Sequence, residues 1–421
     1  MTPIHSKHPG CRLCGSSELS CLIPMKPVPI GEHYTDKKQA DAERFPIDIY
    51  RCNACGAVQT NDDIDSDFLW KDYTYFSGQT KRIVEHFSDF SEDILDNYFD
   101  SKPISVLDIG SNDGSLLGQF KIRNCDVQGI DPARTVVDVA NDQGIPTIHS
   151  LFNLGSCHKY LQKESYDLIT AFNVFAHSPE MESMIKGIEY SLKENGLFCF
   201  EVQYLADISQ KNILGTFFHE HMIHYSLYSA RQFLLANGME IIDYRRNNIQ
   251  NGSIIFICKK EGSNIVKQNG ADDRISELEA LESELQLNTD EWASRFCEKI
   301  NETRKSVVKL LNEVDFVDAY GAARSGPTLA IQYGFDKKIR YLFDDHPSKV
   351  GKYSPYLSLL VKPTTLLKAG DSPNCLVLAY IHAKNIVKQN ISYLQEGGRF
   401  IIVWPEYVEV TVENYQNYLG S

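Results

Sequence analysis

Apolar and polar positions alternate in blocks through the middle of the chain, and the blocks predict strand and helix in turn. Val106 to Ile109 is a short apolar run, and a turn through Gly110, Ser111, Asn112, Asp113 and Gly114 follows it. Leu116, Leu117 and Phe120 then recur at helical spacing, and a second apolar run, Val127 to Ile130, ends in Asp131. This is a βαβ unit with a glycine-rich first turn. Arg134 to Asn141 reads as a helix, Ile145 to Ile148 as a short strand and Tyr166 to Phe172 as a buried strand. Met181 to Leu192 is an amphipathic helix with Gly196 as its cap, and Leu197 to Val202 is the next strand. The alternation predicts an α/β fold with a central, doubly wound Rossmann-like parallel sheet. Upstream, Ile83, Phe87, Phe90, Ile94 and Tyr98 mark a helix over Arg82 to Tyr98. Downstream, Asp272 to Val314 is charged and helical. Val317 to Tyr320, the turn Gly321 to Gly326 and Ile339 to Phe343 form a second Rossmann-like βαβ, extended by Leu376 to Leu378 and Phe400 to Val403. The expected boundaries are 1–75, 76–260, 261–315 and 316–421.

The first turn sets the chemistry. A dinucleotide site calls for GxGxxG, whereas this turn is GSNDG, with an acid and no third glycine. An acid beside a pyrophosphate is unfavourable; beside an ammonium or sulfonium group it is favourable. The turn therefore predicts S-adenosylmethionine as cofactor. Its expected contacts are Gly110, Ser111, Asn112 and Asp131, the last accepting ribose hydroxyls. Ligands of open α/β sheets lie beyond the carboxyl ends of strands, which adds Asn173 for the cofactor and His177 for the substrate. In the aromatic stretch Phe68 to Thr80, most rings read as packing. Tyr75 suits a substrate-orienting role, and Ser77 joins the cofactor contacts.

Charge and cysteine usage narrow the class. The 421 residues carry a net charge of −14, which argues against a protein that grips nucleic acid by its phosphates. No apolar run approaches the roughly 18 residues of a membrane helix, and the N-terminus has no signal-peptide core. A soluble, cytoplasmic protein without a membrane partner is expected, and a monomer. Of the 11 cysteines, Cys11 and Cys14 form CRLCG, and Cys52 and Cys55 form CNACG. Two such knuckles supply four thiolates to one tetrahedral structural Zn2+, which leaves no open coordination position for catalysis.

The densest ionisable run is GTFFHEHMIHYS, residues 215–226. Zincin spacing is absent, because position 223 is Ile. His221 and His224 would share one helical face and could hold a metal, but no third ligand is evident. Histidine next to a carboxylate suits a general base near neutral pH, so the run around Glu220 offers a candidate base.

Together the knuckles, the GSNDG loop and the HEH run resemble the S-adenosylmethionine-dependent sugar C-methyltransferases of deoxysugar biosynthesis. DYTYFS, FNVFAHSPEM, AYGAARSGPTL, FDDHPSKVGKY and GGRFIIVWPE resemble further segments of that family, so the likeness spans nearly the whole chain. It implies a nucleotide-linked keto-deoxysugar substrate and a C-terminal domain that closes over the nucleotide diphosphate. His221 would act as base, with Glu220 beside it and Tyr75 and His177 on the substrate side. Two positions depart from the family: Phe218 replaces a tyrosine, and Gln250-Asn251-Gly252-Ser253 replaces HGGS. Methylation at oxygen or nitrogen of a sugar or phosphate-bearing metabolite is the alternative chemistry. A zinc-stabilised module that binds a nucleotide-sugar or partner without catalysis is the alternative from another class.

Overall fold

The computed structural model describes residues 4–31, 34–38, 42–65, 68–69 and 75–420. Trp70 and Tyr73 of the aromatic stretch lie outside them. The chain forms two compact units from interleaved segments. Met1–Ser20, Tyr50–Ala206 and Met222–Thr289 make the first; Cys21–Ile49, Asp207–His221 and Asp290–Ser421 make the second.

The first unit is built on a seven-stranded sheet. Its spatial order is Met239–Asn247, Ser253–Lys260, Leu192–Gln203, Tyr166–Phe172, Ser105–Ile109, Asp126–Asp131 and Thr147–His149. The last five of these are parallel to one another. Ser253–Lys260 runs antiparallel to both of its neighbours, so the sheet is mixed where the alternation predicted parallel strands throughout. The reason is the connection: Asn247 pairs with Ser253 across a tight loop, and only antiparallel strands join that way. Near-continuous apolar runs such as Val106, Leu107 and Ile109 are buried because helices cover both faces of such strands. The helix Lys81–Tyr98 packs Phe87 and Phe90 against Phe172, with Phe90 and Phe172 ring centroids 4.7 Å apart.

Gly196 does not cap the preceding helix. That helix ends at Ser191, Leu192 is already extended, and Gly196 lies inside the strand Leu192–Gln203. A Cβ there would come within 2.6 Å of the Leu192 side chain, so close packing accounts for the glycine. The long charged stretch is two helices, Ala271–Glu284 and Glu291–Glu313, and the break between them falls at the boundary of the two units. Arg274 ties the first of these to the sheet through the buried Asp243, 2.6 Å away, and Arg245 binds the same carboxylate at 2.7 Å. Burial works against that charge, but the two guanidiniums outweigh it and hold the Asp243 carboxyl below its usual range.

The second unit carries a six-stranded sheet in the order Val361–Lys362, Ile339–Phe343, Val317–Tyr320, Asn374–Val377, Arg399–Ile402 and Val408–Val410. All neighbours are parallel except the last pair. This is the second Rossmann-like domain that the sequence predicts. Among the described residues no helix is long and apolar enough to cross a membrane.

Candidate active site and metal centre

The four knuckle cysteines converge. Their Sγ atoms all lie within 4.8 Å of one another, with Cys11 to Cys55 at 3.5 Å and Cys14 to Cys52 at 3.6 Å. Four sulfurs at a Zn–S distance of about 2.3 Å around a tetrahedral ion stand roughly 3.8 Å apart, so the cluster fits zinc. Gly15 and Gly56 hold left-handed backbone (φ 73° and 72°), and their amides close each knuckle on Cys11 O and Cys52 O at 2.9 Å. The hydrogen bond from Cys55 pulls the Cys11 thiol below its usual range. Cys21, the one competing cysteine nearby, is exposed and outside the cluster. The buried Arg12 braces the knuckles. Its Nε donates to Thr60 O at 2.8 Å, and its Nη2 lies 2.7 Å from Asp63.

The cofactor loop takes its shape from backbone that few residues adopt. Gly110, Asn112 and Gly114 have φ of 66°, 52° and 77°. A Cβ on Gly110 would stand 2.3 Å from Val174 Cγ2, so glycine is required there both for its conformation and for space. Asp131 ends the second strand as predicted. Its carboxylate accepts from Asn112 N at 3.0 Å and Ala133 N at 2.8 Å. Burial outweighs these bonds and pushes its pKa up to about 6. Ser111 turns its hydroxyl inward, buried and without a hydrogen-bond partner among the described residues. Asn173 follows the strand Tyr166–Phe172 in left-handed backbone (φ 57°), and its amide donates to Glu201 O at 2.8 Å. His177 closes the turn after it, donating its amide to Val174 O at 2.8 Å. A carboxylate for a diol and a loop without basic side chains fit S-adenosylmethionine better than a pyrophosphate.

Asp113 has a use that the sequence does not reveal. Its carboxylate accepts from Ser115 N at 3.2 Å and from Gly78 N at 2.9 Å. Asn112 does the same work beside it. Its Oδ1 accepts from Ser77 N, and its Nδ2 donates to Tyr75 O, both at 3.0 Å. The segment 75–79 is thereby strapped onto the cofactor loop, and Tyr75 and Ser77 are held where Asn112 and Asp113 fix them. The tyrosine ring itself is exposed. A Cβ on Gly78 would meet Ser115 Oγ at 2.6 Å and Asp113 Oδ2 at 3.0 Å. Gly78→Ala is therefore expected to break the bond to Asp113. One charge-assisted hydrogen bond is worth ~1.5–3 kcal/mol, so calorimetry should show S-adenosylhomocysteine binding weakened roughly tenfold or more.

In the second unit the HEH run is a turn, not a helix, so the helical-face geometry proposed for a metal on His221 and His224 is absent. His224 instead lies in the strand Ile223–His224 of the first unit, paired with Val58. Among the described residues the only group placed to hold a metal is the four cysteines. The turn is fixed from several sides. The Thr328 hydroxyl donates to Phe217 O at 2.9 Å, and Phe217 packs edge-on against Phe296. His219 Nε2 donates to Pro46 O at 3.1 Å, so that histidine is structural. Buried Glu220 lies 3.6 Å from the Arg324 guanidinium. Arg324 lies within the glycine turn of the second βαβ, and its charge is directed at Glu220.

His221 Nδ1 lies 2.9 Å from Thr216 O. The Thr216 hydroxyl lies 3.1 Å from the same nitrogen, but the nearer carbonyl only accepts, so the tautomer that satisfies it carries the proton on Nδ1 and has Nε2 as the basic nitrogen. The Phe218 ring lies against the imidazole at a tilt of 37°, with centroids 3.9 Å apart. Burial pushes the His221 pKa down to about 3; the Thr216 bond opposes the shift and the Arg324 charge adds to it. His221 is therefore neutral throughout the neutral pH range.

An S-adenosylmethionine-type loop on a Rossmann-like sheet, a four-cysteine zinc knot and a second α/β domain define the class: a zinc-bearing, S-adenosylmethionine-dependent methyltransferase. Three family models match the chain in succession. They are described as "putative zinc binding domain" over residues 11–70, "methyltransferase domain" over 81–243 and "C-methyltransferase C-terminal domain" over 248–405. Taken together, the three matches cover most of the chain and are those of a C-methyltransferase with an N-terminal zinc-binding domain. It is similar to the C-methyltransferase NovU of Streptomyces niveus, 27% identical over 414 residues that cover 96% of this chain and 97% of that one. Of solved structures, the PH0226 protein of Pyrococcus horikoshii OT3 aligns with 46% of this chain and 98% of its own, at 11% identity and a TM-score of 0.38. The magnesium protoporphyrin IX methyltransferase ChlM of Synechocystis PCC 6803 with bound S-adenosylhomocysteine aligns with 45% of this chain and 89% of its own, at 17% identity and a TM-score of 0.35.

Proposed function

We propose that this enzyme methylates a carbon next to the ketone of a nucleotide-linked keto-deoxysugar. The observation that carries the assignment is the His221 tautomer. A carbon nucleophile requires enolisation, and enolisation requires a base with a lone pair ready at neutral pH. Thr216 O holds the proton on Nδ1 and leaves Nε2 to accept one. In this reading the C–H bond next to the ketone breaks, its proton passes to His221 Nε2, and its electron pair forms the enolate. Glu220, buried beside Arg324, orients the turn. Tyr75 and His177 steady the developing oxyanion by donating hydrogen bonds. Gly110, Ser111, Asn112, Ser77, Asp131 and Asn173 hold the cofactor. Bound S-adenosylmethionine supplies the electrophilic methyl group. The proposed setting is a cytoplasmic monomer acting on a free metabolite, without nucleic acid. The described residues form no disulfide, which suits a reducing compartment.

The test is incubation with S-adenosylmethionine and a panel of nucleotide-linked 4-keto sugars in deuterated water, followed by mass spectrometry. A methyl gain, with deuterium entering the adjacent carbon of unmethylated substrate, is the expected result. A methyl gain without exchange, where NMR places the new methyl off carbon, would overturn the enolate. It would favour oxygen or nitrogen as acceptor, a reading that Phe218 supports because it places an apolar ring where the family carries a phenol.

A further inference from the structure

Among the buried ionisable groups outside the catalytic set is Glu201. Glu201 sits at the carboxyl end of the strand Leu192–Gln203, in register with Phe172, and its side chain is fully buried. A lone buried carboxylate costs several kcal/mol, so its partners matter. One oxygen accepts from His86 Nε2 at 2.9 Å, on the helix Lys81–Tyr98. The other accepts from Asn247 Nδ2 at 2.7 Å, on the last residue before the hairpin loop. Its backbone carbonyl accepts from Asn173 N. Glu201 thus ties together a helix, a strand end and a loop, all at the sheet edge where ligands bind.

The loop it holds is under strain. Gln250 and Asn251 both have left-handed backbone (φ 50° and 69°), and Gly252 follows at φ 140°. Such conformations cost energy in residues with a side chain and persist only where the surroundings impose them. The surroundings do so here. Asn247 Oδ1 accepts from Ile249 N at 2.8 Å, Arg82 donates to Asn248 O at 2.9 Å, and Gln203 donates to Gln250 O at 3.0 Å. None of these groups belongs to the cofactor loop.

We propose that Glu201 is a positioning residue for the methyl acceptor: through Asn247 and His86 it pre-forms the strained loop 247–253, whose polar residues contact the acceptor rather than the cofactor. The inference rests on the methyl-transfer reading of this edge, but not on which acceptor is used.

Glu201→Gln tests it, because a glutamine of the same shape carries no charge and offers one acceptor where the carboxylate offers two, and His86 can answer its amide only by moving the ring proton to Nδ1. Hydrogen exchange in the unliganded full-length enzyme should quicken about tenfold at residues 247–253, the equivalent of one charge-assisted hydrogen bond. S-adenosylhomocysteine affinity should stay within about threefold. With an acceptor that the wild type methylates, KM for that acceptor should rise about tenfold while kcat stays within about threefold. Adding Asn247→Asp to this variant swaps donor and acceptor, lets the introduced glutamine bond both partners again, and should restore slow exchange and KM. Unchanged exchange at 247–253 would overturn the proposal. So would a loss of S-adenosylhomocysteine affinity as large as the change in the loop, or a double variant no better than the single. If no keto sugar is methylated, the functional reading fails by itself, and the exchange and affinity measurements still decide this one.

Discussion

His221→Ala is expected to lower turnover by about 10²–10⁴-fold, the range of a lost general base, while S-adenosylhomocysteine affinity stays within about threefold. Solvent deuterium exchange at the carbon next to the ketone should disappear together with turnover. The pH dependence adds a second signature. A histidine at its usual pKa near 6.5 would put an acid limb on kcat/KM at that pH. Burial holds His221 near 3 instead, so it stays unprotonated well into the acid range. Asp131, the expected ribose ligand, is raised to about 6 and protonates on the way down, after buried Asp108, which is raised to about 7. An acid limb near pH 6 should therefore appear in KM for S-adenosylmethionine and vanish at saturating cofactor. His221 also bears on stability. Unfolded, it binds a proton below about 6.5; folded, only below about 3. Between these values the unfolded chain binds more protons, so this residue makes the fold less stable as pH falls through that window. Equal turnover in the wild type and His221→Ala would sink the base assignment. Retained exchange without methyl transfer would move the base to another residue.

Cys52→Ser is expected to abolish bound zinc and, with it, most activity, although zinc takes no part in the chemistry. The wild type should carry one zinc per chain by elemental analysis and the variant close to none. Structural zinc contributes on the order of 10 kcal/mol to the modules it folds. The loss reaches further than the knuckles because of what is paired to them. Cys52 N donates to Ala57 O at 2.8 Å, and the strand Val58–Thr60 follows at once. Val58 and Gln59 pair with His224 and Ile223, and Thr60 N donates to Met222 O at 3.0 Å. Met222 is the residue after His221 in the chain. Loosening the knuckle therefore frees the segment that leads out of the HEH turn. Turnover should fall at least about tenfold, and hydrogen exchange should quicken over 50–65 and 222–225 before it does in the central sheet. A zinc-free Cys52→Ser enzyme with full turnover would refute this coupling.

Much of this architecture is local and could be read from the chain alone. The knuckles are four residues long, and their cysteine spacing with a following glycine specifies the turn wherever it occurs. The GSNDG turn is legible for the same reason, since its left-handed positions fall on glycine and asparagine, the residues that tolerate them. The strands come out within a residue or two of their predicted bounds where a run is buried on both faces, as in Tyr166–Phe172 and Ile339–Phe343. Gly196 misled because a glycine after a helix usually caps it, whereas here the demand came from Leu192 packing across it. The acid in LFCFEV was a signal in the sequence, a charge in a run otherwise fit for the core, but not one that names its partners.

Those partners, and the other pairings that shape the candidate site, lie far away in the chain. Glu201 meets His86 across 115 residues and Asn247 across 46, and Asp113 meets Gly78 across 35. No periodicity encodes such distances, because periodicity records only which side of an element is buried. The sequence by itself determined the elements, the zinc ligands and the class of cofactor, since each depends on backbone preference and residue type within a few positions. Only the tertiary structure decided the tautomer of His221, the strap over the cofactor loop and the anchoring of loop 247–253. Each of these depends on a buried polar group finding one particular partner once the surrounding apolar surfaces have closed and water no longer competes.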